Sequence, residues 1–159
     1  MDFDINAFFN LDALLAFLLS MLPVVELRGG IIFAAARGIP FINAFIICFL
    51  GNILPVPFIL LFVRRVFGFL ERLKYTKDIV LKLENRVRAK SGSVLKYQLW
   101  GLFIFVAIPL PGTGAWTGAM VAAFLDMQIR KSFPMIALGV LGAGIIMSVL
   151  SYLIPGLFF

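Results

Sequence analysis

A glutamate and an arginine stand two residues apart in an otherwise apolar stretch of the chain. Glu26 and Arg28 follow Pro23 and precede Gly29 and Gly30. Ionisable side chains at membrane depth are costly, and they usually face a cavity or pair with one another. Arginine binds phosphate through a planar fork of donors, and a buried glutamate can exchange a proton near neutral pH. The two residues therefore predict either an anion-binding, proton-coupling site or a mutual ion pair that neutralises a helix break.

A second candidate segment, PLPGTGAWTGA at residues 109–119, carries no charge. It offers the hydroxyls of Thr113 and Thr117 and the ring of Trp116. If a helix begins near Ala115, its free amides and positive dipole end would attract an anion. Gly114 and Gly118 also have the four-residue spacing of small residues at which two helices pack closely, so helix packing is expected in addition to anion binding. The residues that break the backbone here are Pro109, Pro111, Gly112, Gly114 and Gly118.

A polar residue, Asn52, interrupts a long apolar stretch and is followed by Pro55 and Pro57. Proline removes a backbone donor, and neighbouring helices can satisfy the carbonyls that are freed in this way. We interpret the region as a membrane span that is kinked near its middle. Asn52 is either part of that kink or a residue that lines the site.

The composition assigns the chain to a lipid bilayer. Of its 159 residues, 62% are hydrophobic and 14% are charged, whereas soluble domains are about 45–50% apolar and about 25% charged. The sequence contains no histidine and one cysteine, Cys48, which excludes imidazole chemistry and an intrachain disulfide. We expect no metal, no cofactor and no enzymatic activity, since Glu26 is the one candidate for a general acid or base.

The spacing of breaks predicts an all-α integral membrane protein that forms a single domain over residues 1–159. Crossing the hydrocarbon core takes about 20 apolar residues, and two stretches meet this length, at 41–63 and 133–154. The apolar stretches 12–37 and 97–125 are interrupted by proline and glycine, so each uninterrupted piece is too short to cross. We predict that each forms a re-entrant hairpin, which enters and leaves by the same side; the alternative is that each crosses the membrane, which would give four plain spans.

Cations are concentrated between the two spans, in residues 64–96, which hold ten Lys or Arg and three Asp or Glu. Apolar residues recur there at helical spacing, which predicts an amphipathic helix at the membrane surface. The positive-inside rule places this segment in the cytoplasm and both termini outside. The net charge of +6 is then a signal of topology, and no nucleic-acid partner is expected.

The two halves of the chain align with an offset of 88 residues. Ten of 38 aligned positions are identical, and Pro23 with Pro111 and Gly30 with Gly118 fall at the two breaks. Because each half would contain a single span, the second half would be inverted relative to the first. Many secondary transporters use such inverted repeats to alternate access to a site at the midplane. The two repeats are predicted at residues 12–63 and 97–159.

Three motifs carry a resemblance to a known family: PVVELRGGI at residues 23–31, GNILPVP at 51–57 and IPLPGTGAWTGA at 108–119. On these motifs the chain resembles the small multidrug export proteins, which are grouped loosely with the DedA membrane proteins. The resemblance implies two opposed re-entrant hairpins, and either proton-coupled efflux or transport of lipid phosphates such as undecaprenyl phosphate. The chain departs from the DedA pattern because its arginine lies in the first break and its second break is uncharged.

The expected function is that of a small secondary transporter or lipid translocase in a prokaryotic plasma membrane. A cavity between the hairpin tips would move an anionic lipid or a small amphipathic compound, with a coupling proton on Glu26. Two spans make a thin wall, so a homodimer or larger homo-oligomer surrounded by membrane lipids is expected. The alternative is a non-transporting scaffold or assembly factor. The substrate-binding or coupling candidates are Glu26, Arg28, Asn52, Thr113, Trp116 and Thr117.

Overall fold

The computed structural model describes residues 10–70, 93–110 and 112–153, and the regular structure in these ranges is entirely helical. The all-α prediction is confirmed for this part of the chain. Two helical stretches in it are long and apolar enough to cross a membrane, Phe41–Val66 and Ile129–Leu153. The helices of the described ranges are α1 Leu11–Met21, α2 Glu26–Ala36, α3 Phe41–Ile53, α4 Val56–Leu70, α5 Ser93–Ala107, α6 Ala115–Phe124 and α7 Ile129–Leu153.

Local sequence explains where the first short helices begin and end. The side chain of Asn10 accepts a hydrogen bond from the Ala13 amide at 2.7 Å, so it caps α1. Pro23 follows the extended residue Leu22 and ends the helix. The next helix, α2, has 11 residues and is therefore about 16 Å long at a rise of about 1.5 Å per residue. That is roughly half the thickness of a hydrocarbon core of about 30 Å.

The two spans differ from their predicted outlines. The stretch expected as one helix over 41–63 is divided at Leu54 and Pro55 into α3 and α4, because proline supplies no amide to continue the ladder. Its second part, α4, continues past the predicted end to Leu70. The second span, α7, begins at Ile129 rather than 133. Of the predicted amphipathic segment 64–96, residues 71–92 lie outside the described residues.

The offset found in the sequence also relates the helices. Adding 88 to the bounds of α2 gives 114–124, and α6 occupies Ala115–Phe124. The first residue of α3 maps onto position 129, where α7 begins. Both α2 and α6 end in a left-handed residue, Gly38 with φ +73° and Asp126 with φ +49°. The amides of residues 37–39 donate to carbonyls of residues 33–35, and the amides of residues 125–127 donate to carbonyls of residues 121–123, each 88 positions later. This is the usual geometry of a Schellman cap.

Within each half, the three parts pack in the same way. The first short helix contacts the second short helix and the span, both for α1 with α2 and α3 and for α5 with α6 and α7. Small residues allow the close approach to the spans. A Cβ atom on Gly51 would stand 2.5 Å from the Phe17 carbonyl oxygen, and one on the equivalent Gly139 would stand 3.0 Å from that of Phe103.

The halves also contact each other in a reciprocal way, through α2 with α7 and α4 with α6. Arg64 near the end of α4 donates to the carbonyl of Met127, just before α7 begins. Tyr152 near the end of α7 donates to the carbonyl of Ile39, just before α3 begins. Since the end of each span meets the start of the other, the two spans run antiparallel. The re-entrant placement of the hairpins and the inversion of the repeats in the bilayer stay predictions.

Candidate functional site

Glu26 lies where two helix breaks meet, the one between α1 and α2 and the one between α5 and α6. It is the first residue of α2, and only 4% of its surface is exposed. Its Oε1 atom accepts a hydrogen bond from the backbone amide of Trp116 at 3.1 Å. Because α6 begins at Ala115 and its cap residue Gly114 has no side chain, the glutamate caps a helix of the opposite half. A carboxylate is favourable there, next to the positive end of the helix dipole.

Arg28 binds the opposite half at the other side of the same break. Its Nη2 atom donates to the Thr113 hydroxyl at 2.8 Å and to the Ile108 carbonyl at 3.2 Å, and its Nη1 atom donates to the Leu110 carbonyl. These carbonyls follow the last residue of α5, Ala107. A cation at this position complements the negative end of a helix. The two charged residues are thus each bonded to the second break.

Trp116 returns the contact from the second half to the first. Its indole Nε1 atom donates to the carbonyl of Met21, the last residue of α1, at 3.0 Å. Trp116 is also the residue that the offset of 88 pairs with Arg28. At equivalent positions, therefore, a cation and an indole each satisfy the end of the first helix of the opposite half.

The residue equivalent to Glu26 is Gly114, and the two are in contact. A Cβ atom on Gly114 would collide with the Glu26 carboxylate, so the Glu26 side chain fills the space that a side chain at position 114 would need. Both residues have a positive φ, +52° for Glu26 and +129° for Gly114. A left-handed residue other than glycine is strained, and such residues cluster at functional sites.

A pocket lies at this crossing point and is too narrow to admit a water molecule. Its polar side chains are Glu26, Arg28 and Asn52, and its remaining wall is apolar, with Leu27, Val106 and Val140 among it. Asn52 is 2% exposed, and its Oδ1 atom has no hydrogen-bond partner. Asn52 is the twelfth residue of the span that begins at Phe41, and Val140 is the twelfth of the span that begins at Ile129. The pocket is therefore midway along both spans.

The other predicted residues fall into two groups. Thr113 belongs to the site, since its hydroxyl contacts Arg28 and also lies 2.8 Å from the Ile108 carbonyl. Thr117 is half-buried on α6 and is not among the residues that line the pocket. The remaining positions shape the backbone. Pro23 and Gly112 are exposed, Pro109 and Gly29 are partly buried, Gly30 and Gly118 are packed against α1 and α5, and Pro111 lies outside the described residues.

Arg64 and Tyr152 make contacts between the halves that the sequence did not predict. Arg64 Nη2 lies 3.2 Å from the Asp126 carboxylate and also donates to the Met127 carbonyl. The Tyr152 hydroxyl donates to the Ile39 carbonyl at 2.6 Å. The two donors are 88 residues apart, and so are the two acceptors. The offset of 88 residues could have paired Arg64 with Tyr152. The repeat was recognised by identical residues, however, and an arginine paired with a tyrosine does not count as an identity.

Together, the fold and the apolar spans define a small helical membrane protein made of two similar halves. The family model described as "Putative small multi-drug export protein" matches residues 26–146. This match covers most of the chain, which therefore belongs to the small multidrug export family, as its motifs predicted. No curated protein and no solved structure matches the chain. The predicted relationship to the DedA proteins stays a prediction.

Proposed function

We propose that the chain is a proton-coupled secondary transporter that exports small amphipathic compounds through the pocket between its two breaks. The observation that carries this proposal is the buried carboxylate of Glu26 in a pocket midway along both spans. Ionisable residues at that depth usually mark a substrate or proton pathway. Membership of an export family is consistent with this use of the site.

The proposed mechanism is alternating access by two inverted repeats. The helices α2 and α6 have 11 and 10 residues, about 15–16 Å at a rise of about 1.5 Å per residue. They reach from the ends of the spans to the pocket at the middle, which supports hairpins that re-enter the membrane without crossing it. Antiparallel spans support the inversion, because two helices that run in opposite directions cross a bilayer in opposite senses.

Two reciprocal contacts would then close the pocket at its two ends. The contact of Arg64 with Met127 and Asp126 belongs to the end that carries the basic segment, which the positive-inside rule places in the cytoplasm. The contact of Tyr152 with Ile39 closes the opposite, outer end. The structure has both contacts made, which supports an occluded state. A substrate would enter when one of these contacts opens.

Coupling follows from the position of Glu26. An ionised carboxylate buried among apolar side chains is unfavourable where its charge is only partly compensated, here by the Trp116 amide and by Arg28, and a substrate cation or a proton completes the compensation. The pocket should therefore close around Glu26 with either a proton or a substrate bound, and stay open otherwise. Exchange of a bound substrate for a proton on Glu26 would couple the export of substrate to the entry of protons.

Translocation of an anionic lipid is a second candidate, which the presence of Arg28 in the pocket favours. To bind a phosphate headgroup, the guanidinium would have to release the Ile108 and Leu110 carbonyls and Thr113. A scaffold without transport activity is the third candidate, because the contacts of Glu26 and Arg28 also stabilise the two breaks. We further propose a prokaryotic plasma membrane location, termini outside, and a homodimer or larger assembly that thickens the two-span wall.

The test is flux in proteoliposomes with an imposed pH gradient, measured for the wild type and for Glu26→Gln. The amide oxygen of glutamine can still accept the Trp116 hydrogen bond, so this variant should fold. We expect proton-driven efflux to fall at least tenfold and its dependence on pH to disappear. Asp12→Asn is the matched control, since Asp12 is a partly exposed carboxylate paired with Arg37 at 3.5 Å. Unchanged efflux in Glu26→Gln would refute proton coupling, and a wild type without flux would favour the scaffold.

A further inference from the structure

The amide oxygen of Asn52 is an acceptor without a donor. Its residue is 2% exposed, it lines the pocket, and the oxygen has no hydrogen-bond partner. Buried polar atoms in folded proteins are nearly always bonded, so an exception calls for an explanation. The pocket is also too narrow for a water molecule to supply the missing donor. The oxygen is therefore left for a donor that arrives with a ligand.

Two of the donor groups at the pocket, the Arg28 fork and the Trp116 amide, are already engaged. Arg28 donates to the Ile108 and Leu110 carbonyls and to Thr113, and the Trp116 amide donates to Glu26. The groups that a ligand would meet are the carboxylate of Glu26 and the oxygen of Asn52, set in an apolar wall. This arrangement suits a headgroup with a positive charge and at least one N–H bond, attached to an apolar body.

We propose that the exported compounds are protonated amphipathic amines, and that Asn52 selects them against quaternary ammonium compounds of the same shape. This inference rests on the proposed function and names its substrate class. A quaternary headgroup can neutralise Glu26, but it leaves the Asn52 oxygen unbonded. A site built to hydrogen-bond a ligand discriminates strongly against an analogue that lacks the donor. In the absence of an amine, a proton neutralises Glu26 in its place, so proton and amine compete.

The experiment is isothermal titration of the purified full-length protein in detergent with two probes, 2-phenylethylammonium and its N,N,N-trimethyl analogue. The wild type should bind the primary amine at least tenfold more tightly. In Asn52→Leu this preference should fall below twofold through weaker binding of the primary amine. Asn52→Asp keeps an acceptor and should keep the preference. The control is Ser148→Ala, which removes another buried oxygen without a partner but lies outside the pocket lining and should leave the preference intact.

The outcomes separate this inference from the proposed function. Equal binding of the two amines by the wild type, or a tenfold preference that survives in Asn52→Leu, would overturn the role of Asn52. Proton-driven efflux of another compound that depends on Glu26, with neither amine bound, would leave the transporter intact and refute the substrate class. Thermal unfolding of Asn52→Leu serves as the folding check, and it should match the wild type because the variant removes an unsatisfied polar group.

Discussion

The two halves of the molecule share a backbone plan and differ in the chemistry placed on it. At three pairs of positions related by the offset of 88, the first half has a charged residue and the second a neutral one: Glu26 and Gly114, Arg28 and Trp116, Arg64 and Tyr152. The arginines, the tryptophan and the tyrosine all donate to carbonyls of the opposite half. The scaffold is thus nearly symmetric, whereas the charge at these three pairs of positions lies in the first half.

This difference shows why a symmetric scaffold can hold a single site. Where equivalent residues meet at the centre, there is space for one side chain, and Gly114 leaves that space to Glu26. Two carboxylates at this distance would repel each other strongly. In the proposed mechanism, this one acid at the centre would be reached from each end of the molecule in turn, as an exchange of proton and substrate requires.

The largest effect is expected from breaking the asymmetry at the centre with Gly114→Ala. The new Cβ atom would collide with the Glu26 carboxylate, and φ of +129° is unfavourable for alanine. We expect a loss of roughly 3 kcal/mol or more in the free energy of unfolding, measured by denaturant titration in detergent. Gly112→Ala is the control, because φ there is +85° but the space is open, and it should cost about 1 kcal/mol. Equal losses in the two variants would contradict the central contact.

A smaller effect is expected when the charged and neutral donors of the breaks are compared. Arg28→Met removes the charged hydrogen bonds to the Ile108 and Leu110 carbonyls and to the Thr113 hydroxyl, which should cost about 2–3 kcal/mol. Trp116→Phe removes one neutral hydrogen bond, to Met21, and should cost about 1 kcal/mol. The same denaturant titration measures both. If Trp116→Phe lowers the free energy of unfolding more than Arg28→Met does, the charged donor of the first half does not contribute the larger part of the stability of the two breaks.

The smallest effect, and the one that assigns the two ends, is expected from Arg64→Met and Tyr152→Phe. A cysteine introduced as Ala115→Cys in a Cys48→Ala background places a thiol in the pocket lining. Labelling with a membrane-impermeant maleimide should rise about tenfold from the cytoplasmic side in Arg64→Met, since a charged hydrogen bond is worth about 1.5–3 kcal/mol. It should rise about threefold from the outside in Tyr152→Phe, where the bond is neutral. Labelling that rises from the same side in both variants would refute two opposed closures.

The breaks could be predicted from the sequence, but their partners could not. Pro23 and Pro55 lie at the interruptions after α1 and within the first span, and Gly114 precedes the helix that begins at Ala115, so these breaks follow from local chemistry, although α7 accommodates Pro134 in its interior. The bonds of Arg28 join residues 80–85 positions apart, and no local pattern encodes such a pairing. Counting identities revealed the repeat through Pro23 and Gly30. The site, however, is formed by residues that differ between the two halves, and a count of identical residues does not detect such pairs.

The exchange of caps between the halves has a consequence for how the chain is made. When α1 leaves the ribosome, the carbonyl of Met21 has no partner, because Trp116 follows 95 residues later. At a synthesis rate of about 5–20 residues per second, that delay is about 5–19 s. In the proposed re-entrant topology, the first hairpin would during this time hold the unsatisfied Met21 carbonyl and a glutamate that has not yet met the Trp116 amide, which an apolar bilayer does not tolerate. We therefore expect the hairpin to stay in water, or within the insertion machinery, and to settle into the membrane when the second half arrives.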